Sequence, residues 1–292
     1  MKFSRSLRAL TTLAAATLFA LPARAIDVDA GDYTALPPGT NLGLLYVQQA
    51  SRDKLYADGD NVGINPKLDS TIGILRGVHY MDIGGYIVDP QFLLPFGKLD
   101  AGRDIGALGS NTGVADLILA ATVWFNKADS KTHFGITPFL FVPIGQYDNN
   151  EPLNLGENRW KFALQAGYIT PVTDKLTLDL VGDFTIHGKN NDFGPGSDEL
   201  KQKVLFQFQG FLRYHLSPAT DLRLGLSHVT GGETEVNGVD QDNRLSTSKF
   251  NIGASHFIGP KTQLLATYGR DLSVRNGFKE DGRFNFRILQ IF

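Results

Sequence analysis

Residues 283–292 read Arg-Phe-Asn-Phe-Arg-Ile-Leu-Gln-Ile-Phe, nearly alternating polar with apolar down to an aromatic last residue. In an extended chain, successive side chains point to opposite sides. Phe284, Phe286, Ile288 and Phe292 therefore share one face, and Arg283, Asn285 and Arg287 share the other. One face suits hydrocarbon and the other suits water. A strand of this kind implies a closed ladder, because lipid supplies no partner for a free backbone edge.

The opposite end of the sequence points to the same compartment. Lys2, Arg5 and Arg8 precede an apolar run from Ala9 to Leu21, and Ala23-Arg24-Ala25 offers the small-x-small pattern of a signal-peptidase site. The sequence predicts a signal peptide over residues 1–25 and a mature start near Ile26. A retained membrane anchor fits less well, since the run falls short of the ~20 apolar residues a spanning helix needs.

Composition narrows the class. The 292 residues include 32 Gly, 20 Phe and 9 Tyr with no Cys, and the formal charge is -2. Mean hydropathy is only -0.11. Barrel strands hide in such averages, because each contributes only about five lipid-facing residues that alternate with lumen-facing ones. The lack of Cys excludes a disulfide framework and Cys-based zinc sites, and near-neutral charge argues against a nucleic-acid partner.

About twelve segments have strand character, over 40–49, 71–80, 85–96, 114–125, 133–144, 159–169, 176–187, 202–216, 222–230, 248–257, 262–270 and 282–292. Each is near the ~9–11 residues that cross a bilayer at barrel tilt. Short connections alternate with longer polar ones, as periplasmic turns alternate with external loops in an outer-membrane barrel. The expected fold is thus an all-β, antiparallel, up-and-down transmembrane barrel over residues 39–292. Residues 26–38 form a preceding segment that either hangs in the periplasm or plugs the lumen.

Several strands allow faces to be assigned. Val204, Phe206, Phe208, Leu212 and Tyr214 would face lipid, with Lys203, Gln207, Gln209, Arg213 and His215 inside. Leu176, Leu178, Leu180, Phe184 and Ile186 oppose Thr177, Asp179, Asp183, Thr185 and His187. Aromatics such as Tyr86, Phe125, Tyr168 and Tyr214 fall beside turns, where an interfacial girdle would sit. A soluble β-sandwich also alternates, but it does not call for a leader, an aromatic belt and a terminal Phe together. Arg76 interrupts its strand on either face. Pro90, Pro95, Pro138 and Pro143 predict bulges or kinks in the third and fifth strands.

Twelve strands at ~40° tilt give a backbone radius of roughly 12 Å and a bore of roughly 10 Å or less. The candidate pore-lining residues divide by charge. Asp89, Asp116, Asp179 and Asp183 lie on the third, fourth and seventh strands, whereas Lys203, Arg213, Arg223, Lys249, Arg283 and Arg287 lie on the eighth to tenth and twelfth. Such walls either orient a polar solute and favour anions or pair across the lumen, with Lys161, Asp183 and Lys203 meeting at one height.

Other chemistry is poorly supported. The six His residues are scattered without ligand spacing, and the acidic stretches 148–151 and 240–243 lack a calcium-loop glycine turn. No Gly-x-Ser-x-Gly elbow appears, and Ser255 and His256 point to opposite faces of a strand. A lipid hydrolase or acyltransferase of the outer membrane is the enzyme alternative, but no cofactor or metal is expected.

A terminal strand Phe resembles the C-terminal signal of bacterial outer-membrane barrels, which makes Phe292 the candidate contact for the outer-membrane assembly machinery. Leu36-Pro37-Pro38-Gly39-Thr40 leading into 41–49, Leu55-Tyr56-Ala57-Asp58-Gly59 and the Gly84-Gly85-Tyr86 turn resemble the outer-membrane transporter family named for the meta-pathway of phenol degradation. Sphingosine-uptake outer-membrane proteins look related. The resemblance implies a channel in the bacterial outer membrane, with the lipid bilayer and a small hydrophobic or aromatic solute as its partners. A non-conducting structural or adhesion barrel is the other expectation.

Overall fold

The computed structural model describes residues 26–292, so the leader expected over residues 1–25 lies outside the described residues. Twelve long strands follow one another in antiparallel order: Asn41–Arg52 (β1), Pro66–His79 (β2), Tyr86–Arg103 (β3), Leu117–Trp124 (β4), His133–Val142 (β5), Lys161–Thr173 (β6), Leu176–His187 (β7), Leu205–Ser217 (β8), Thr220–Gly231 (β9), Leu245–Ile258 (β10), Thr262–Val274 (β11) and Gly282–Ile291 (β12). The ladder closes where β12 pairs with β1 from Leu42 opposite Ile291 to Ser51 opposite Gly282. Closure removes every edge that lipid could not satisfy.

Alternation decides which way each strand turns. Phe284, Phe286 and Ile288 are exposed on the outside of β12, while Asn285 and Arg287 are buried inside. The same phase holds in β7 and β8, where Leu180, Ile186, Phe206, Phe208, Leu212 and Tyr214 face outward. An outward surface this apolar would be an aggregation hazard in water, and in a bilayer it is the solvated face.

The strands outrun the sequence-derived bounds on the loop side. β2 begins at Pro66, and β3 runs on to Arg103. In those extensions Leu68 and Leu99 turn inward while Lys67, Asp69, Lys98 and Asp100 turn outward, so the lipid-facing alternation ends before the strands do. Short strands in the connections, Asn190–Phe193, Asp198–Gln202, Thr234–Val236 and Val239–Asp240, form a second sheet at that end. Beneath the loops Leu68, Leu99, Ile105 and Leu153 form a separate apolar cluster.

Pairing is irregular beside Pro95 and Pro138, whereas Pro90 pairs regularly opposite Ala121 and Pro143 falls just past the end of β5. Pro90 and Pro95 stay inside a continuous β3, but its partner strand breaks at residues 115–116 into Ser110–Val114 and β4. Ala115 bridges that break by donating its N–H to the Pro95 carbonyl. Pairing between β4 and β5 likewise lapses beside Pro138, between Ala120 opposite Phe139 and Val123 opposite Ile136.

Candidate functional site

The lumen is occupied by the chain's own amino-terminal segment. Asp27 accepts from Gln207 Nε2 (2.7 Å), Lys249 (3.1 Å) and Arg283 (2.9 Å). Arg287 donates to Asp29 (2.9 Å) and Asp32 (3.0 Å), and Arg76 donates to the other Asp32 oxygen (3.0 Å). Arg223 reaches the Ala30 carbonyl at 2.7 Å, and the Gly31 N–H donates to Asp179 at 2.6 Å. Near the short-turn end the Tyr33 hydroxyl donates to Gln165 Oε1 at 3.0 Å, and its ring meets Trp124 edge-on at 5.8 Å. Gly167 makes room for that ring, since a Cβ there would lie 2.0 Å from Tyr33 Cγ.

These contacts explain the basic wall. Arg283, Arg287 and Lys249 face in as expected, and their counter-charges come from Asp27, Asp29 and Asp32 of the lumenal segment. Arg213 pairs with Asp179 at 3.0 Å, and Arg223 pairs with Asp221 on its own strand. A cation so deep needs a partner, because desolvating an unpaired charge costs several kcal/mol.

The acidic wall is built differently. Asp89 is 2% exposed and accepts from Trp124 Nε1 (2.8 Å), the Thr122 N–H (3.1 Å) and Gln91 (2.9 Å). Asp116 sits at the break in the strand and accepts the N–H groups of Gly145 and Glu157, each at 3.0 Å, which pins the 143–160 connection to the wall. Glu157 then binds Arg159 (2.7 Å) and Lys161. Burial alone would raise the Glu157 carboxyl, but Lys161 and Arg159 outweigh it and hold it down at about 2.

Two sequence expectations are corrected. Lys203 lies before β8 rather than in the lumen; it is exposed and pairs with Glu233 (2.7 Å) and Asp240 (3.1 Å) of the next long connection. Lys161, Asp183 and Lys203 do not meet: the register sets Lys161 opposite His187 and Asp183 opposite Gln165 and Gln207. The residues missed were Asp27, Asp29, Asp32, Tyr33, Arg76 and Glu157. Their available signals were the Asp spacing in residues 26–38 and the Arg that broke the alternation of β2.

Between the segment and the wall of β1, β2 and β8–β12 a cleft of about 120 Å³ remains, lined by Asp27, Asp29, Arg76, Gln209, Lys249 and Arg283 among others. That is well below the ~300–1,000 Å³ of a drug-sized pocket. The short-turn half of the lumen is aromatic and aliphatic, with Tyr33, Tyr46, Tyr80, Ile87 and Trp124 buried together. Phe139 and Phe141 are buried higher up. At the seam, exposed Phe292 donates its N–H to Asn41 and lays its ring against Gly43.

No curated protein matches this sequence. The structure is similar to that of the COG4313 outer membrane channel from Pseudomonas putida F1, at 42% identity and a TM-score of 0.88, covering 91% of this chain and all of that one. Fold alone is shared with the beta domain of the Bordetella autotransporter BrkA (8% identity, TM-score 0.53, 88% and 100% covered) and the AIDA-I transport unit from Escherichia coli (9%, 0.52, 97% and 97%). The family model described as MetA-pathway of phenol degradation matches residues 51–288. With most of its length matched and its barrel closed around a charged lumen, the chain belongs to that family and is an outer-membrane channel rather than an enzyme.

Proposed function

We propose that the channel passively admits small hydrophobic or aromatic compounds, and that residues 26–38 act as a plug held by exchangeable ion pairs. The observation that carries this reading is the division of the lumen. Carboxylates of the segment sit on Arg76, Arg283 and Arg287, while toward the short turns Tyr33, Tyr80 and Trp124 pack together. A solute with an apolar ring gains by leaving water for those side chains, at roughly 25 cal/mol per Å² buried. An amphipathic acid has a second handle, since its carboxylate competes with Asp27, Asp29 or Asp32 for the same guanidinium groups. The family description, which concerns phenol degradation, supports an aromatic solute.

The test is solute entry into proteoliposomes. Above the rates of protein-free liposomes, phenol and benzoate should enter faster than a sugar of comparable mass, and equal protein-dependent rates would overturn the preference. A sealed structural barrel is the second reading, favoured by the pairing of the lumenal Arg and Lys groups. It predicts no single-channel current and no solute entry above that of protein-free liposomes.

A further inference from the structure

We propose that the mature chain begins at Ile26 and that its α-ammonium docks on the inner wall against Asp183, Thr185 and Gln207. Ile26 comes first only if a leader is removed after Ala25, and the docking does not depend on which solute the channel carries.

The place of Ile26 is fixed by three amides. Its carbonyl accepts from Gln165 Nε2 (3.1 Å) and Gln209 Nε2 (2.9 Å), and the next residue, Asp27, accepts from Gln207 Nε2 (2.7 Å). Gln165 Nε2 also donates to Asp183 Oδ2 at 3.0 Å, so Ile26 and Asp183 share one amide nitrogen. Strand register sets Gln165, Asp183 and Gln207 at one height across β6, β7 and β8. The Ile26 side chain packs on the cluster of Phe139, Phe141 and Ala163, which orients the residue along the wall.

That spot is short of a donor. Asp183, Thr185 and Gln207 are 6%, 2% and 0% exposed, and Asp183 Oδ1, Thr185 Oγ1 and Gln207 Oε1 are buried acceptors with no hydrogen-bond partner. Asp183 forms no ion pair with a Lys, Arg or His among the described residues, and Lys161 on the adjoining strand is committed to Glu157. A buried carboxylate without a cation is costly, and so is each orphaned acceptor. An ammonium group answers all of it with one positive charge and three N–H donors. An amide nitrogen at Ile26, as in the uncut precursor, offers a single donor and no charge. Removal of the leader thus creates the group that completes the site and fixes the free end of the plug to the wall.

The experiment uses the folded protein isolated from outer membranes. Mass spectrometry of the amino-terminal peptide should give Ile26 as the first residue, and any other start overturns the proposal. The detergent-solubilised barrel is then treated at neutral pH with an amine-acetylating reagent. The Ile26 amine should be acetylated on the order of tenfold more slowly than in heat-unfolded protein, the extent expected when a local opening must precede reaction. Asp183→Asn should remove most of that protection, and Asp183→Glu should restore part of it. Inserting Gly-Ser between Ala25 and Ile26 moves the new amine away from an intact Asp183 and should also abolish protection. Heat-modifiable gel migration shows which variants remain folded. If Asp183→Asn does not fold, the insertion decides. Equal reactivity of the wild-type amine in folded and unfolded protein, or protection kept in either folded variant, overturns the proposal.

Discussion

Two segments outside the barrel strands place carboxylates on buried cations, and they are attached in different ways. Residues 26–38 carry Asp27, Asp29 and Asp32 to Arg283, Arg287 and Arg76, which are far away in sequence. The 143–160 connection carries Glu157 to Arg159 and Lys161, within four residues and between two strands that hold it from both ends. Breaking the first set frees a chain segment joined to the barrel only through β1. Breaking the second loosens a loop that cannot leave. Similar ionic chemistry therefore serves a removable element in one place and a fixed one in the other.

The largest effect should come from removing two of the three charges of the removable element. Asp29→Asn with Asp32→Asn leaves Arg76 and Arg287 without their carboxylate partners, and breaking one buried pair costs about 3–5 kcal/mol. The segment should leave the lumen, and single-channel conductance should rise several-fold in a barrel that still shifts on heating. A conductance equal to wild type would mean that the segment is held mainly by Asp27, Tyr33 and the backbone contacts.

Gly167→Leu attacks the same segment without touching its charges. A side chain there occupies the space of the Tyr33 ring, and overpacking of this kind costs about 1–3 kcal/mol. The expected result is brief opening events on an otherwise wild-type current. Their absence would show that the ring has another place to go.

The fixed loop should respond to acid instead. Glu157 has its carboxyl held at about 2 against an ordinary 4.5. A depressed value means that the clamp is fully present above about pH 4.5 and is lost as pH falls toward 2. Limited proteolysis by an acid protease should therefore find the 143–160 connection resistant at pH 5 and cut near pH 2, with the barrel intact. Glu157→Gln should expose it already at pH 7 to a protease active there, and resistance in that variant would mean that Asp116, Leu153 and the Tyr147 contacts hold the loop without it.

Legibility in the sequence follows from the range of the interactions. Lipid-facing residues announce themselves by alternation, which is local, so Phe206, Phe208, Leu180 and Phe286 were assigned correctly to the outside. At the loop-side ends of β2 and β3 the outward residues are charged and the apolar Leu68 and Leu99 turn inward, so the lipid-facing alternation stops before the pairing does. The site depended on contacts between residues more than 200 apart, such as Asp29 with Arg287. No local pattern carries that. An inward surplus of Arg, set beside an Asp-rich stretch with no strand of its own, was the trace it left.

The smallest effect belongs to Lys203, and it separates the wall from its rim. Lys203 was expected in the lumen beside Arg213, but it stands before β8 with more than half of its side chain exposed and pairs with Glu233 and Asp240. A charge in water is screened within about 8 Å at physiological salt, whereas a lumenal one acts through a poorer dielectric. Lys203→Glu should therefore leave the reversal potential unchanged in a salt gradient centred near 0.15 M. Arg283→Glu in the same gradient should move it toward cations, because that side chain faces the cleft and holds Asp27. A shift for Lys203→Glu as large as that for Arg283→Glu would mean that the connection after β7 folds into the pore, and that the ion path begins at the rim rather than at the plug.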